Sequence, residues 1–333
     1  MLEPTLRALA ALRASEAMPL GQGLSAENAA ACLHQAIRPF NPQTLAAAVE
    51  AAGPVPKRVA IVVPAGVFTT PIEWVAIAVA AGAQVHIKAP AIDPALCKKL
   101  AACFRAEDLP VTCSDDRALP AVDAILAFGR DTTIDTIVTD YPDVPVIRYG
   151  HRFSLAFVGG NPEAAAGPLA LDITRYDSRG CMAPTAVFTT ADPEALATAL
   201  VPIMQQMEQR TPRGEVEPAY GPEWRRRLGL ARVLGSVKTG SGWAITVTPP
   251  DHYVPEALPR MVNIHPVNDI EHLRDILASR THQLSTLGTD DPTVSIPGVH
   301  RVCALGWMQA PTIPRKHDGR AMLADLIGAP GGT

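Results

Sequence analysis

The sequence predicts an α/β protein whose core is a parallel β-sheet with helices on both faces. The chain has 333 residues, of which 47% are hydrophobic and 19% are charged, so it can bury a substantial core. Short apolar runs alternate with helical stretches from residue 57 onwards. The runs are apolar almost throughout, which is typical of strands buried on both faces of a parallel sheet. Nucleotide-binding proteins use this kind of architecture.

The first half of the chain is predicted to hold a helical lead-in, residues 1–56, and a dinucleotide-binding domain, residues 57–160. Alanine and leucine dominate the lead-in, and Ser25 and Asn41 are typical of helix starts. In the domain we predict strands at 58–63, 84–88, 122–127 and 144–148, and helices at 71–81, at 94–104 and from residue 132.

Residues 161–298 are predicted to form a second α/β domain, which contains Cys181 and is expected to be the catalytic one. Its predicted strands are 185–189, 243–247 and 260–264, and its predicted helices are 193–209, one ending at 234, and 268–279. Residues 299–333 are expected to be a C-terminal tail that packs back on the core, with a strand at 302–305 and a last helix at 318–327.

Composition and charge exclude several classes of function. Lys and Arg number 29 against 33 Asp and Glu, and the basic residues never cluster beyond the triplet 225–227, so nucleic acid is not an expected partner. The longest apolar stretch, residues 74–82, is far shorter than the about 20 residues that cross a bilayer. The N-terminus lacks the features of a signal peptide, so we expect a cytoplasmic protein with reduced thiols.

The six cysteines do not predict a metal centre. They form no CxxC pattern and have no histidine at zinc-ligand spacing. Cys97 and Cys103 fall within a predicted helix and are expected to be buried, whereas Cys181 lies in a turn-rich segment before a predicted strand. A thiol at such a position can be stabilised as thiolate by nearby N–H groups, although a cysteine is also a common small core residue.

Small or polar residues follow the predicted strands of the first domain. They are Pro64-Ala-Gly66, Lys88, and Gly129-Arg-Asp-Thr132. Ligands of parallel sheets bind at the carboxyl ends of the strands, so a binding crevice is expected there. The G-x-G-x-x-G pattern is missing after each strand, which argues against a standard Rossmann dehydrogenase.

Several short motifs follow one another along residues 57–328. They are Val63-Pro-Ala-Gly66, Val85-His-Ile-Lys88, Phe128-Gly-Arg-Asp-Thr132, Tyr149-Gly-His-Arg-Phe-Ser154, Asp177-Ser-Arg-Gly-Cys-Met-Ala-Pro184, Leu305-Gly-Trp-Met-Gln-Ala-Pro311 and His317-Asp-Gly319. Their order resembles that of the LuxC-like acyl-CoA reductases, a family of the aldehyde dehydrogenase superfamily. The resemblance implies an aldehyde dehydrogenase-like fold, with a Rossmann-like parallel-sheet cofactor domain and a smaller α/β catalytic domain.

The same resemblance implies that the protein reduces a fatty acyl-CoA or another acyl thioester to the aldehyde. Cys181 would be the nucleophile that carries the acyl group, NADPH the hydride donor with NADH as the alternative, and His151 an acid or base near the nucleophile. Superfamily members that release an acid carry a glutamate in the segment that corresponds to residues 147–154, and this chain has no carboxylate there. The missing carboxylate is consistent with an enzyme that must keep its acyl group until hydride arrives.

Cofactor and substrate residues are also implied by the resemblance. Gly66, Lys88, Gly129, Arg130 and Thr132 would contact the cofactor, with Lys88 at the adenosine ribose and Gly129, Arg130 and Thr132 beside the pyrophosphate. For Lys88 and Arg130 the alternative is a solvated surface charge, and for Thr132 it is a plain helix cap.

Arg179 and His317 are implied to contact substrate. Arg179 would lower the pKa of the neighbouring thiol or meet a phosphate of CoA, with a solvent-exposed charge as its alternative. His317 would bind substrate or fix the tail against the cysteine loop. For both His317 and His151, an ordinary buried hydrogen-bonding role stays open.

One motif departs from the family pattern. Relatives often place an asparagine after the first strand, where its amide helps to hold the thioester oxyanion, but here the step is Ala65-Gly-Val-Phe68. The main-chain N–H of Cys181 and the hydroxyls of Thr69 or Thr70 are the candidate replacements. Losing one oxyanion donor costs about a hundredfold in rate.

Three functional hypotheses remain open from the sequence. The first is the acyl thioester reductase, acting on acyl-CoA or an acyl-protein. The second is a CoA-acylating aldehyde dehydrogenase for a short or aromatic aldehyde, and the third is a subunit of the same fold with weak or no catalysis. By resemblance we expect a homo-oligomer, with a homodimer preferred, and a partner protein that transfers the acyl group is compatible with each enzymatic hypothesis.

Overall fold

The structure is a computed structural model that describes residues 1–15 and 23–323. The helices are α1 (Leu2–Arg13), α2 (Ala26–Ile37), α3 (Pro42–Ala52), α4 (Thr70–Ala80), α5 (Ala95–Arg105), α6 (Asp131–Asp140), α7 (Pro162–Thr174), α8 (Pro193–Arg210), α9 (Tyr220–Leu234) and α10 (Ile270–Leu277). The strands are β1 (Arg58–Val62), β2 (Gln84–Lys88), β3 (Val111–Ser114), β4 (Ala124–Phe128), β5 (Val146–Tyr149), β6 (Phe153–Val158), β7 (Pro184–Thr189), β8 (Ser236–Thr239), β9 (Ala244–Val247), β10 (Met261–Pro266), β11 (Leu284–Thr289), β12 (Arg301–Ala304), β13 (Lys316–His317) and β14 (Arg320–Ala321).

The described residues divide into two compact units. The first consists of residues 1–15, 30–151 and 312–323, and the second of residues 23–29 and 152–311. The sequence placed the border near residue 160, whereas the structure separates the units between His151 and Arg152. The reason is β6, which pairs with β7 and β11 and is buried along its whole length.

The first unit contains a five-stranded parallel sheet in the order β3-β2-β1-β4-β5. The chain runs from β1 outwards through β2 and β3, and then crosses to β4 and β5 on the other side of β1. The strand order therefore reverses between β1 and β4. In open parallel sheets a ligand crevice lies at the carboxyl ends of the strands at such a reversal.

Helix α4 is the most deeply buried helix of the first unit. Nine of its residues are buried, because it lies between the sheet and the N-terminal helices α1 and α3. A helix that is apolar on every side requires this position. The start of α3 follows the sequence prediction, since the Asn41 side chain accepts from the N–H of Thr44 and the Thr44 hydroxyl accepts from the N–H of Asn41.

The second unit contains a seven-stranded sheet in the order β12-β11-β6-β7-β10-β9-β8. All neighbouring strands are parallel except the edge pair β8 and β9. Alternate residues of β6 face opposite sides: Ala156 packs with the core under α7 and α8, and Leu155 and Phe157 pack with the core under α10. Both faces are therefore covered, as the apolar strands predicted.

The prediction of a last helix at 318–327 is wrong for its first residues. Residues 316–321 form the hairpin of β13 and β14, and its two turn residues, Asp318 and Gly319, have φ angles of 49° and 80°. Asp-Gly is a preferred pair for a two-residue turn with positive φ at both positions, and such a pair cannot continue a helix. Residues 324–333 lie outside the described residues.

None of the helices in the described part of the chain is both long enough and apolar enough to span a bilayer.

Candidate active site

Cys181 lies half-buried on the turn that leads into β7. Its main-chain carbonyl oxygen accepts a hydrogen bond from the Ser154 hydroxyl, at an O···O distance of 2.5 Å. Burial raises the pKa of Cys97 to about 12 and that of Cys303 to about 11. Those two thiols stay protonated near neutral pH and are therefore poor nucleophiles.

The backbone just before Cys181 is left-handed over three consecutive residues. Tyr176, Asp177 and Ser178 have φ angles of 52°, 51° and 61°, and Gly180 has a φ of 85°. Such a conformation costs a non-glycine residue about 1 kcal/mol or more, so it persists only where the surroundings hold it. Strained backbone of this kind is concentrated at functional sites, which makes the supports of this turn informative.

The carboxylate of Asp177 is the main support of the turn. Its side chain is buried, and its Oδ1 accepts from Nε of Arg260 at 2.6 Å and from Nδ2 of Asn28 at 2.9 Å. Its Oδ2 accepts from the main-chain N–H of Gly214 at 3.0 Å. Three separate chain segments therefore converge on one carboxylate four residues before the thiol.

The guanidinium of Arg260 is also fully buried and makes further bonds. Its Nη1 donates to Oε2 of Glu208 at 3.0 Å, and its Nη2 donates to the carbonyl oxygen of Thr211 at 2.7 Å. The main-chain N–H of Arg260 donates to the hydroxyl of Ser178 at 3.3 Å. A buried guanidinium with this many partners is costly to disturb, because removing any partner leaves charge in a dry environment.

The side chain of Arg179 is held by hydrogen bonds to the main chain and does not extend into solvent as an isolated charge. Its Nη2 lies 3.1 Å from the carbonyl oxygen of Gly23 and 3.3 Å from that of Glu215, and donates to both. The side chain therefore ties the cysteine turn to two loops of the second unit. Its predicted contact with substrate stays a prediction.

The predicted cofactor residues gather at one edge of the first sheet. Gly66 and Gly129 follow β1 and β4, the two strands at the reversal, and a Cβ atom on either glycine would meet nothing within 4 Å among the described residues. Arg130 and Thr132 are exposed at the start of α6. Arg130 occupies the N-cap position, so Thr132 is not the cap of this helix.

Lys88 ends β2 at the same edge of the sheet. Its Nζ donates to the carbonyl oxygens of Ala89 and Asp115, at 2.8 Å and 3.1 Å. Both acceptors are neutral main-chain groups. These two bonds hold the ammonium at the carboxyl end of the strand.

The N-terminus of α6 has one feature that suits an anion and one that opposes it. Among the described residues no side chain caps this helix, so its first N–H groups are available to a ligand oxygen. The feature that opposes an anion is the negative charge of Asp131 in the first turn. Its carboxylate accepts from the main-chain N–H of His151 at 3.2 Å.

The side chain of His151 is exposed. Among the described residues, no hydrogen bond fixes its ring in the orientation that an acid or base would need.

His317 stands among aromatic rings of the first unit. Its ring centroid lies 4.7 Å from that of Tyr149 and 5.5 Å from that of Trp74, both in edge-on geometry. Nη1 of Arg315 lies 2.7 Å from Nδ1 of His317, and Arg315 also forms an ion pair with Glu73 at 2.8 Å. Because a guanidinium can only donate, Nδ1 of His317 accepts and the ring proton lies on Nε2.

The candidate replacements for the missing asparagine are partly engaged elsewhere. The Thr70 hydroxyl donates to the carbonyl oxygen of Val67 at 2.7 Å, so its single proton serves the local turn. Thr69 is buried. The oxyanion role of these hydroxyls stays a prediction.

Sequence reasoning did not find the residues that hold the cysteine turn. Asn28, Glu208 and Arg260 lie far from Cys181 along the chain and match no local motif. Ser154 ends the motif that begins at Tyr149, but no role was assigned to it. For Asn28, Ser154 and Arg260 the weak signal is a polar residue beside an apolar run, and Glu208 lacks even that signal.

Sequence comparisons relate this chain to acyl reductases. A family model described as acyl-CoA reductase (LuxC) matches residues 59–329. The long-chain acyl-protein thioester reductase of Aliivibrio fischeri is 24% identical over 254 residues, which is 71% of this chain and 52% of that protein. The chain therefore spans about half the length of that relative.

Solved structures show the same architecture at low identity. An oxidoreductase from Marinobacter aquaeolei has a TM-score of 0.75 and 15% identity, covering 93% of this chain and 78% of its own. An NAD-dependent aldehyde dehydrogenase from Sinorhizobium meliloti has a TM-score of 0.68 and 12% identity, covering 91% and 74%. The aldehyde dehydrogenase fold expected from the sequence is confirmed. Since the family model spans most of the chain, the protein belongs to the LuxC family of acyl-CoA reductases.

Proposed function

We propose that this protein reduces an acyl thioester to the aldehyde, with Cys181 as the acyl acceptor and NADPH as the hydride donor, NADH being the alternative. The observation that carries the proposal is the position of Cys181. It is a half-buried thiol on a left-handed turn that buried charges hold in place. Family membership supplies the reaction class, and the turn supplies a fixed nucleophile.

The chemistry at Cys181 begins with its thiolate. The sulfur attacks the carbonyl carbon of the substrate thioester, a new carbon–sulfur bond forms, and the bond to the leaving thiol breaks. The leaving thiolate takes up a proton from solvent, and the acyl group stays on Cys181 as a new thioester. The carbonyl carbon of this thioester is still electrophilic, and it is more electrophilic than the carbonyl carbon of a serine ester would be.

The residues of the first unit fit a dinucleotide at the carboxyl edge of their sheet. The open backbone at Gly66 and Gly129, the uncapped start of α6 and the charge of Lys88 would hold its phosphates and ribose. When bound, the dinucleotide supplies the hydride that converts the acyl thioester to the aldehyde. The sulfur of Cys181 is then released as thiolate for the next cycle.

Loss of the acyl group to water must be avoided until reduction occurs. Residues 147–154 contain no carboxylate that would deprotonate a water molecule, and that supports reduction over release of an acid. The relative from Aliivibrio fischeri is named for long-chain acyl-protein thioesters, so a long-chain acyl-CoA or acyl-protein is the proposed substrate.

The proposal is tested by trapping the acyl group. Protein incubated with radiolabelled tetradecanoyl-CoA and no NADPH is expected to retain label that hydroxylamine removes. Cys181→Ala is expected to retain none, because the bond to sulfur cannot form. Cys303→Ser, which alters another half-buried thiol of the same unit, is the matched control and keeps the label.

Addition of NADPH is expected to discharge the label as tetradecanal. Label that persists in Cys181→Ala, or that NADPH releases as tetradecanoic acid, contradicts the proposal. Repeating the assay with short and aromatic acyl groups distinguishes a long-chain reductase from an enzyme that acylates CoA with a small aldehyde.

A further inference from the structure

Ser154 makes a short polar contact to the backbone of Cys181. It is the second residue of β6 and is fully buried. Its Oγ lies 2.5 Å from the carbonyl oxygen of Cys181, although the two residues are 27 positions apart along the chain. The carbonyl is part of the peptide that leaves Cys181, so this bond bears on the direction of the chain at the thiol.

The Ser154 hydroxyl is the donor in this bond, because a carbonyl oxygen can only accept, and the hydroxyl has a second partner. The main-chain N–H of Thr286 donates to Oγ of Ser154 at 3.0 Å. Its single proton is donated to the carbonyl oxygen of Cys181, while one of the two lone pairs of Oγ accepts from Thr286. The hydroxyl therefore connects β11, β6 and the cysteine turn.

The sheet leaves a place for this hydroxyl. Ser154 lies opposite Pro184 in the pairing of β6 with β7, and proline has no N–H for the ladder. The register of that pairing shifts between Ser154 and Ala156, and the pairing of β6 with β11 is also irregular beside Thr286. Side-chain hydroxyls add bonds at this irregular pairing: Thr185 donates to the carbonyl oxygen of Ser154 at 3.1 Å, and the Ser154 hydroxyl bonds to Cys181 and Thr286.

We propose that Ser154 is a positioning residue for Cys181. Its hydroxyl fixes the peptide after the thiol, as Asp177 and Arg260 fix the turn before it. The inference rests on the proposed function of Cys181 as acyl acceptor. Attack on a carbonyl requires the sulfur within a few tenths of an ångström of its productive place, and a displacement of about 1 Å costs about a hundredfold.

Thr189 provides a matched control at the other end of β7. Its hydroxyl is also fully buried, donates to the carbonyl oxygen of Val158 at 2.8 Å and accepts from the N–H of Ala191 at 3.0 Å. It bridges two strands as Ser154 does, but it does not touch the cysteine turn. Ser154→Ala and Thr189→Ala therefore remove comparable bonds.

The test measures single-turnover acylation of Cys181 by tetradecanoyl-CoA in both variants, below their melting temperatures. Ser154→Ala is expected to acylate about tenfold to a hundredfold more slowly at saturating thioester, with little change in the half-saturating concentration. Thr189→Ala is expected to stay within about threefold of the parent. Ser154→Thr, which keeps the hydroxyl, is expected to restore most of the rate.

Unchanged acylation in Ser154→Ala, or an equal loss in Thr189→Ala, would overturn the proposal. The rate of alkylation by iodoacetamide across pH gives a readout independent of acyl transfer. If the parent protein takes up no acyl group, the proposed function fails, while a changed alkylation profile in Ser154→Ala alone still supports positioning. Should Ser154→Ala not fold, a parent-like rate in Ser154→Thr supports the proposal, and a rate lowered as far as in Cys181→Ala despite folding overturns it.

Discussion

The two sheets of this protein carry their candidate site residues at opposite ends of their strands. In the first unit Lys88 is the last residue of β2 and Gly129 follows β4, so both stand at carboxyl ends. In the second unit Cys181 precedes β7, at the amino end. The first location follows from a general property of parallel sheets, whereas the second has no comparable rule behind it.

The supports of the two locations differ accordingly. Lys88 bonds to main-chain oxygens of nearby loops, and Gly129 offers open backbone. The turn before Cys181 instead depends on Asp177 and Arg260, which are buried and 83 positions apart along the chain. A carboxyl-end site is a consequence of topology, and an amino-end site has to be built from distant polar side chains. Substitutions should therefore affect the fold in the second unit and mainly ligand affinity in the first.

The largest expected effect is that of Arg260→Met. Methionine fills similar space but leaves the carboxylates of Asp177 and Glu208 without their buried partner. Breaking a buried ion pair on one side costs about 3–5 kcal/mol, so we expect a loss of that size in the free energy of unfolding, measured by urea denaturation. Arg226→Met is the control, since Arg226 is 57% exposed in its pair with Glu223 and should cost less than about 1 kcal/mol. Both arginines lie in the second unit, so equal losses in the two variants would show that the buried ion pairs of Arg260 support the fold no more than an exposed pair does.

This contrast also explains what the sequence could predict. The runs of β1, β4 and β7 were recognised because burial on both faces leaves a largely apolar segment. The edge strands β3 and β8 were missed because each has half-buried or exposed positions and no apolar run. Position in the sheet does not decide the outcome, however, because the interior strands β6 and β11 were missed although both are buried along their whole length, whereas the edge strands β5 and β12 were predicted.

The candidate site likewise has a part that the sequence could predict and a part that it could not. The residues after β1, β2 and β4 follow from strand order, and Cys181 from its short motif. The bonds from Asn28, Ser154 and Arg260 could not be predicted, because they join positions that only the folded chain brings together. No local pattern distinguishes Arg260 from an arginine on the surface.

The second prediction concerns the pH dependence of stability. Asp172 is fully buried and accepts from the N–H groups of Gly306 and Met308 at 2.5 Å and 3.0 Å. Burial raises its pKa to about 6, above the 3.8 of a solvated aspartate. The folded state therefore binds this proton more tightly than the unfolded state between about pH 4 and 6, and the contribution to stability declines as pH rises through that window.

Two pH units correspond to about 3 kcal/mol at most, so the change should be visible in urea denaturation at several pH values. In Asp172→Asn we expect this decline to disappear, with a flat difference curve above about pH 6. Asp291→Asn provides a control of opposite sign, because its bonds to Thr293 lower the pKa of Asp291 and its contribution is lost as pH falls. An unaltered slope in Asp172→Asn would show that Asp172 is charged throughout.

The smallest expected effect is that of Lys88→Met in the first unit. Methionine keeps most of the side-chain length and removes the ammonium, so unfolding should change by less than about 0.5 kcal/mol. NADPH affinity, measured by the quenching of tryptophan fluorescence, should fall about tenfold, which corresponds to about 1.4 kcal/mol. Lys98→Met, which removes an exposed ammonium on α5 paired with Asp115, is expected to leave affinity unchanged because it does not end a strand. If both variants bind NADPH as the parent does, the carboxyl ends of the first sheet do not hold the cofactor. The rule that ligands bind at the carboxyl ends of parallel strands would then not locate the cofactor site of this protein. The two units would differ only in how much substitutions at their candidate site residues change stability.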